Sequence, residues 1–409
     1  MSETNQNPKR ILMLNYEFPP LGGGAGNATK YLLKEFSSNK NIRIDLITSS
    51  SNKDKIQKFS DNINVYFLDI GKKGNIHHQS LKDLLVYSWK AYKFSKKLFQ
   101  KNQYALIHAF FSVPCGFIAM LLKKPFIVSL RGSDVPFYSG KYKYLDIFIF
   151  QWLNKIIWQK AEKIIANSSD LRDLAYKTYN KKKIEVIYNG VNTEEFKPKL
   201  KTRPNSPFKK GREFSPGHPP FSKGDRGSSS EQEKFTILST SRLTELKGII
   251  YLLKAFKNLN QKYSNLKLIL VGDGDQKKEF ENFVKENNLQ KNVFFKGAVN
   301  HDKIIKEYQN SDVFVLPSFN EGMSNSLLEA LASGLALIST DTGGAKDLID
   351  KTNGFIVKMG STKEIEKALE ILIENRKKLL LTRKASRKKA LEMSWLKVAE
   401  QYLERYKLT

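Results

Sequence analysis

Four groups of residues in this 409-residue chain have types and spacing suited to handling a phosphate-bearing ligand. The first is Gly22-Gly23-Gly24-Ala25-Gly26, which follows an apolar run and precedes an amphipathic stretch. Glycines at such a turn let backbone N–H groups approach a ligand closely, and a following helix N-terminus favours an anion. No Gly-Lys-Ser/Thr follows, so this is not a Walker-type loop, and a plain tight turn would use the same residues. The second group is Arg242 and Lys247 in SRLTELKG. Two cations five positions apart at the carboxyl end of a strand can clamp a diphosphate; a solvated pair is the alternative. The third is VGDGDQK, where Gly272 and Gly274 follow a strand-like run but position 277 is lysine. The dinucleotide fingerprint needs a third glycine there, so a nicotinamide cofactor is disfavoured while a nucleotide at the strand ends is allowed. The fourth runs from Pro317 to Ala330 (PSFNEGMSNSLLEA). It places Glu321 in a polar turn, Ser324 or Asn325 as a helix cap, and Glu329 inside an otherwise apolar helix, where an unpartnered carboxylate would be costly.

Composition narrows the partners. The net charge is +28, with 69 basic and 41 acidic side chains. Residues 1–199 carry 32 basic and 16 acidic groups, 200–233 carry 7 and 4, and 234–409 carry 30 and 21, so the excess leans to the N-terminal half. Such a balance suits nucleic acid, an anionic membrane surface, or plain solubility, and no nucleic-acid reading motif accompanies it. Cys115 is the single cysteine, which excludes an internal disulfide. The five histidines are scattered, adjacent only at 77 and 78, with no Cys or second His at metal-ligand spacing, so a structural zinc site is not expected. The polar start and the short run ILMLNYEF give no targeting segment. Residues 102–122 lack charge over a bilayer-spanning length, yet Pro114 and Gly116 divide them into a strand, a turn and a helix.

Positioning these groups requires strands that end at them. Arg10–Asn15, Arg43–Thr48, Ile63–Leu68, Leu106–Phe110, Phe126–Leu130, Lys163–Asn167 and Ile184–Tyr188 read as buried strands, with helical patterns at Ala28–Ser37 and Lys82–Phe99. The second half repeats the theme. Strands are expected at Phe235–Ser239, Leu266–Val271, Val293–Lys296, Val313–Pro317 and Ala336–Ser339, and helices at Gly248–Tyr263, Gln276–Asn287, Asp302–Asn310 and Ser326–Ala332. Strand–helix alternation of this kind predicts an α/β protein of two doubly wound parallel sheets. Residues 201–233, rich in Pro, Gly, Ser and charge, cannot bury enough apolar surface to fold and read as a disordered insertion between the halves.

In their order and spacing these segments are specific. FPPLGGGAG, IHAFFSVPCGF, SLRGSDV, ANSSDLRDLA, VIYNGVNTEEFKP, SRLTELKG, VGDGD, FFKGAV, EGMSNSLLEA, DTGG and MSWLKVAEQYLERY together resemble the retaining nucleotide-sugar glycosyltransferases of family 4, of GT-B fold. The resemblance covers nearly the whole chain outside the insertion. It implies two facing Rossmann-like domains, one over residues 1–190 on the acceptor side and completed by a C-terminal helix at 394–409. The other, over 234–393, would bind the donor. It also implies roles. Glu321 would face the donor sugar, Glu329 the ribose, and Arg242 and Lys247 the diphosphate. Ser324, Asn325 and Ser326 would cover sugar and phosphate, Gly297 and Val299 would lie against the base, and the glycines at 22, 23, 24 and 26 would meet phosphate or acceptor from the other domain. Asn189 in VIYNG and the pair Gly272 and Gly274 belong to the same expected binding site. One departure stands out: the family often has histidine where this chain has Arg131, before Gly132-Ser133-Asp134. Arginine stays charged and cannot move a proton, so either Arg131 binds an anionic group or another residue such as Asp134 serves as base. His108 is a further candidate, equally suited to the core.

The expected activity is transfer of a sugar from a nucleoside-diphosphate donor, as co-substrate, to a hydroxyl of a glycan or lipid-linked acceptor in surface-glycan or glycolipid assembly. No metal or cofactor is expected, and the location is cytoplasmic, with peripheral contact at the inner face of the plasma membrane. A non-catalytic sugar-nucleotide or glycan-binding protein of the same fold is the alternative. Lys82–Lys101 suits either an anionic bilayer or an ordinary sheet-covering helix, whereas residues 146–164, with Trp152 and Trp158, favour core.

Overall fold

The computed structural model describes residues 8–72, 79–138, 149–199 and 234–406. The insertion at 201–233 and the adjacent histidines lie outside the described residues. Two parallel sheets organise the rest. Eight strands form the first, in the order β3-β4-β2-β1-β5-β6-β7-β8: β1 Lys9–Leu14, β2 Ile42–Ser50, β3 Lys55–Ser60, β4 Ile63–Asp69, β5 Leu106–Phe110, β6 Phe126–Leu130, β7 Lys163–Ala166 and β8 Ile184–Val186. Six form the second, in the order β11-β10-β9-β12-β13-β14: β9 Phe235–Thr240, β10 Leu266–Val271, β11 Val293–Phe295, β12 Val313–Leu316, β13 Ala336–Thr340 and β14 Gly354–Val357. Helices cover both faces, so central strands such as FTILST and ALIST are buried along their whole length. In each sheet the strand order reverses beside the first strand, between β1 and β5 and between β9 and β12. The crevice at such a reversal is where ligands bind in doubly wound sheets.

The expected strands and helices are present, with boundaries shifted by a few residues. Two strands were not read from the sequence. β3 (KIQKFS) is an antiparallel edge strand with its first four residues exposed, and β14 is a four-residue strand opening on glycine. The uncharged stretch divides into β5, a turn with a cis Val113–Pro114 bond, and the short helix Phe117–Leu121. No helix among the described residues is long and apolar enough to cross a membrane. Within the described part of 146–164, Trp158 is fully buried and its Nε1 donates to Ser112 Oγ at 2.8 Å, but Trp152 is 64% exposed. The core reading therefore holds for one face of that helix alone.

The chain returns to the first domain at its end. Helix Trp395–Tyr406 packs on helix Gly24–Phe36 and buries Trp395, Val398, Ala399, Tyr402 and Tyr406 in the first domain's core. Tyr31 and Trp395 stack at 5.6 Å with planes 9° apart, and Arg405 pairs with Glu185 at 2.9 Å. His108 is buried in this joint, with Nδ1 2.6 Å from the Tyr406 hydroxyl and Nε2 2.8 Å from Ser129 Oγ, so it is a core residue.

Candidate functional site

In the second domain, glycines set the loops that leave β9 and β12. Gly272 has φ +133°, and a Cβ there would stand 1.9 Å from the Ser241 carbonyl oxygen. At Gly274 it would stand 2.3 Å from that of Leu243. These two glycines therefore let the loop bearing Arg242 lie directly against the end of β10. Gly248, at φ +61°, does the same on the other side, where a Cβ would meet Pro317 O at 2.2 Å. The Phe319 N–H donates to Leu246 O at 2.8 Å, so the loop after β9 is laced to the loop after β12.

That lacing brings together the two most informative sequence groups. Lys247 Nζ lies 2.5 Å from Glu321 Oε1, and Ser318 Oγ donates to the same oxygen at 2.8 Å. The pair is largely shielded, with side chains 16% and 14% exposed. Both contacts fall on Oε1, so Glu321 Oε2 is uncommitted among the described residues. Arg242, in the same loop as Lys247, is exposed and has no ion-pair partner among the described residues. Gly343 (φ +51°) packs under Glu321 and Gly322, where a Cβ would meet their carbonyl oxygens at 2.3 and 2.2 Å.

Helix Asn325–Ala332 begins in the same crevice. Ser324 Oγ accepts from the Leu327 N–H and lies 3.1 Å from Ser326 Oγ. Glu329 does not hang in solvent: the buried Tyr308 hydroxyl donates to its Oε2 at 2.8 Å and lies 2.7 Å from Thr240 Oγ1. Burial, and then the Glu329 charge, push the Tyr308 phenol well above its usual range, so it stays a donor. Gly297 (φ +65°) accepts from the Gly272 N–H at 2.8 Å, and Val299 packs on the core beneath this helix. Tyr308 and Ser318 were not read from the sequence. Their polarity becomes informative only when burial shows that it must be satisfied.

The first domain faces this arrangement with its glycine loop and with the turn after β6. Glu17, just before the glycine run, accepts from the Gly23 N–H at 3.1 Å. Burial raises its carboxyl above the usual range, and N–H groups of Gly23 and Gly26 pull it partly back. The loop thus already hosts a carboxylate of its own, and one N–H read as a phosphate ligand is taken. The loop still reaches the crevice, since a Cβ on Gly24 would meet Asn325 Nδ2 at 3.4 Å.

Arg131 and Asp134 also make structural contacts that the sequence does not reveal. Asp134 is buried and accepts N–H bonds from Ser112 (2.7 Å), Arg131 (2.9 Å) and Gly132 (3.0 Å), which fixes the turn after β6. The Arg131 guanidinium sits 4.8 Å from the Phe110 ring centroid, donates to Asn189 Oδ1 at 2.9 Å, and reaches the Tyr402 hydroxyl at 3.5 Å. Asn189 in turn donates to Asn325 Oδ1 at 3.4 Å. Arg131 thus contributes to the joint between the halves, while its Nε has no hydrogen-bond partner among the described residues. The residue this turn presents to Glu321 is Tyr138, unread in the sequence. Its hydroxyl would lie 3.1 Å from a Cβ on Gly322, and burial, with the Glu321 charge, pushes it up to about 12.

Other contacts bridge the crevice. Asp347 accepts from the Ser169 N–H at 2.8 Å and the Tyr188 hydroxyl at 3.2 Å. A cavity of about 470 Å³ lies between the domains, lined by Tyr31, Lys34, Glu195, Asn325, Glu329 and Trp395 among others. No group of three metal-ligating side chains able to hold an ion occurs among the described residues.

Two family models match the chain, "Glycosyltransferase Family 4" over residues 22–195 and "Glycosyl transferases group 1" over residues 222–389. The chain belongs to the group 1 glycosyltransferases. An uncharacterized glycosyltransferase of Methanocaldococcus jannaschii is 26% identical over 358 residues, which is 85% of each chain. Among solved structures, a sucrose-phosphate synthase from Thermosynechococcus elongatus is 19% identical at TM-score 0.76, over 97% of this chain and 98% of that one. The Anabaena protein HepE in complex with UDP is 17% identical at TM-score 0.67, over 97% and 99%. Those structural likenesses concern the fold, which is GT-B: two facing doubly wound domains with a helix crossing back, as the sequence led us to expect. This glycosyltransferase thus carries the loops bearing Arg242, Lys247 and Glu321 at the strand reversal of its second domain.

Proposed function

We propose that this glycosyltransferase takes a nucleoside-diphosphate sugar as donor, needs no metal or cofactor, and transfers the sugar with retention of anomeric configuration. The acceptor is a hydroxyl of a glycan or lipid-linked molecule in cell-surface polysaccharide or glycolipid assembly. The observation that carries the donor reading is the shielded Lys247–Glu321 pair, in the loops that also carry exposed Arg242 and lead into the helix that starts at Asn325. Cleavage of the sugar C–O bond leaves negative charge on the diphosphate. Lys247, Arg242 and the N–H groups at 324–326 are fixed positive groups that stabilise it as it develops. Glu321 Oε2 accepts from a donor-sugar hydroxyl, and Glu329, held by Tyr308, from the ribose. Gly297 and Val299 flank the base, and the glycine loop and Asn189 close the crevice from the first domain. UDP bound by a protein of the same fold supports a nucleotide donor.

Retention and the acceptor class are drawn from the family resemblance. Peripheral attachment at the cytoplasmic face of the membrane fits helix Leu81–Lys101, which buries Tyr87, Ala91 and Leu98 yet exposes Leu81, Leu85 and Trp89. A panel of nucleotide sugars tests the reading, scored by donor hydrolysis and protection against unfolding. At least one donor should do both, and Lys247→Ala should cut its turnover by roughly 10²–10³, as loss of one charge-stabilising donor does. A panel with no active member, or full turnover in Lys247→Ala, overturns it.

A further inference from the structure

Helix Arg376–Leu391 (RKKLLLTRKASRKKAL) carries eight basic residues and no acidic one. Its buried face is mixed: Leu379 and Ala390 lie there with Thr382 and Ser386, and two arginines bond inward to the protein. Arg383 bonds to Asp312 and Gly334 O, and Arg387 to the backbone of Thr193, Phe196 and Ala332. Leucines meanwhile face outward: Leu380 is 48% exposed, Leu381 57% and Leu391 46%.

At 3.6 residues per turn, Lys377, Leu380, Leu381, Lys384, Lys388 and Leu391 fall within an arc of about 100° and span about 21 Å of helix. Lys377, Lys384 and Lys388 make no ion pair among the described residues, unlike Lys389, which pairs with Asp350 at 3.0 Å. A solvated face would alternate charge or avoid leucine, and this one does neither. The 201–233 insertion carries 7 basic and 4 acidic residues, so its charge does not complement the stripe.

We propose that this stripe is a contact for an anionic lipid surface. The second domain would then meet the membrane through its own element, separate from helix Leu81–Lys101. Lysines interleaved with leucines suit that surface: ammonium groups reach lipid phosphates while their stems and the leucines enter the boundary of the acyl region. A nucleic acid could use the lysines but not the leucines.

The test is co-sedimentation of the full chain with vesicles of phosphatidylcholine, with and without phosphatidylglycerol. The wild type should bind the anionic vesicles alone. The triple variant Lys377→Gln, Lys384→Gln, Lys388→Gln should lose roughly a hundredfold in partition at low salt, at about a tenfold loss for each one to two charges removed near the surface. Leu380→Ser with Leu381→Ser should lose several-fold at moderate salt, where screening leaves the apolar contribution exposed. Thermal unfolding of both variants should match the wild type. Wild-type partition in the triple variant would place any lipid contact elsewhere and overturn the proposal. So would unchanged binding by the leucine variant combined with displacement from vesicles by a single-stranded oligonucleotide. Because donor turnover is measured without vesicles, failure of the transferase reading shows up there and not in this assay.

Discussion

At the scale of single residues, carboxylates in this protein divide by what answers them. Glu321 is answered by Lys247 and Ser318, Glu329 by Tyr308, and Asp134 by three backbone N–H groups. Glu17 is answered only in part: its carboxyl is raised by burial, and further by the Asp134 charge, against two N–H groups that lower it. A carboxyl raised in the folded state keeps its proton to higher pH than in the unfolded chain. Its contribution to stability is thus full below the unfolded value of about 4.5 and declines as pH climbs through the raised one. Glu17→Gln keeps the acceptor for Gly23 but not the titration. Relative to wild type, its melting temperature should improve as pH rises through the weakly acidic range; parallel curves would refute this. Glu321, Glu329, Arg242 and Lys247 were legible in the sequence because each stands at a fixed offset from a strand end. Glu17 was not, since NYEFPP gives no sign that a carboxylate will be buried. The orientation of Arg131 was equally hidden, being decided by Asn189 and Tyr402, 58 and 271 positions away.

At the scale of elements, alternation of apolar strands and amphipathic helices was enough to read most of both sheets, because parallel strands buried on two faces leave continuous apolar runs. Two elements break that pattern. β3 lies exposed at a sheet edge, and helix Arg376–Leu391 turns arginine and threonine inward. Loops carry the chemistry, and glycine sets their shape. Gly248→Ala would place a Cβ 2.2 Å from Pro317 O in a left-handed conformation that costs an L-residue about 1–2 kcal/mol before any clash. The expected result is a lower melting temperature together with a loss of kcat/KM of about a hundredfold, since Lys247 is carried by that turn and an ångström of displacement suffices. A variant with both values intact would show that the turn tolerates relaxation.

On the scale of the whole molecule, the first domain's core is closed by a helix from the far end of the chain, while the second domain has its own core. Trp395, Val398, Ala399, Tyr402 and Tyr406 complete the first domain although a complete second domain intervenes in the chain. A fragment ending at residue 199 would expose the face of helix Gly24–Phe36 that stacks on Trp395, together with His108 and Ser129. It should show broad, poorly cooperative unfolding by circular dichroism, and adding a peptide of residues 394–406 should sharpen the transition. A fragment that unfolds cooperatively alone would contradict this. The same feature bears on biosynthesis. At about 5–20 residues per second, the ribosome needs roughly 10–40 s to make the 195 or so residues between the first domain and its closing helix. For that interval the nascent first domain has an open apolar face, so chaperone engagement should concentrate on it, and a chain stopped in the second domain would be recognised as unfinished by its first.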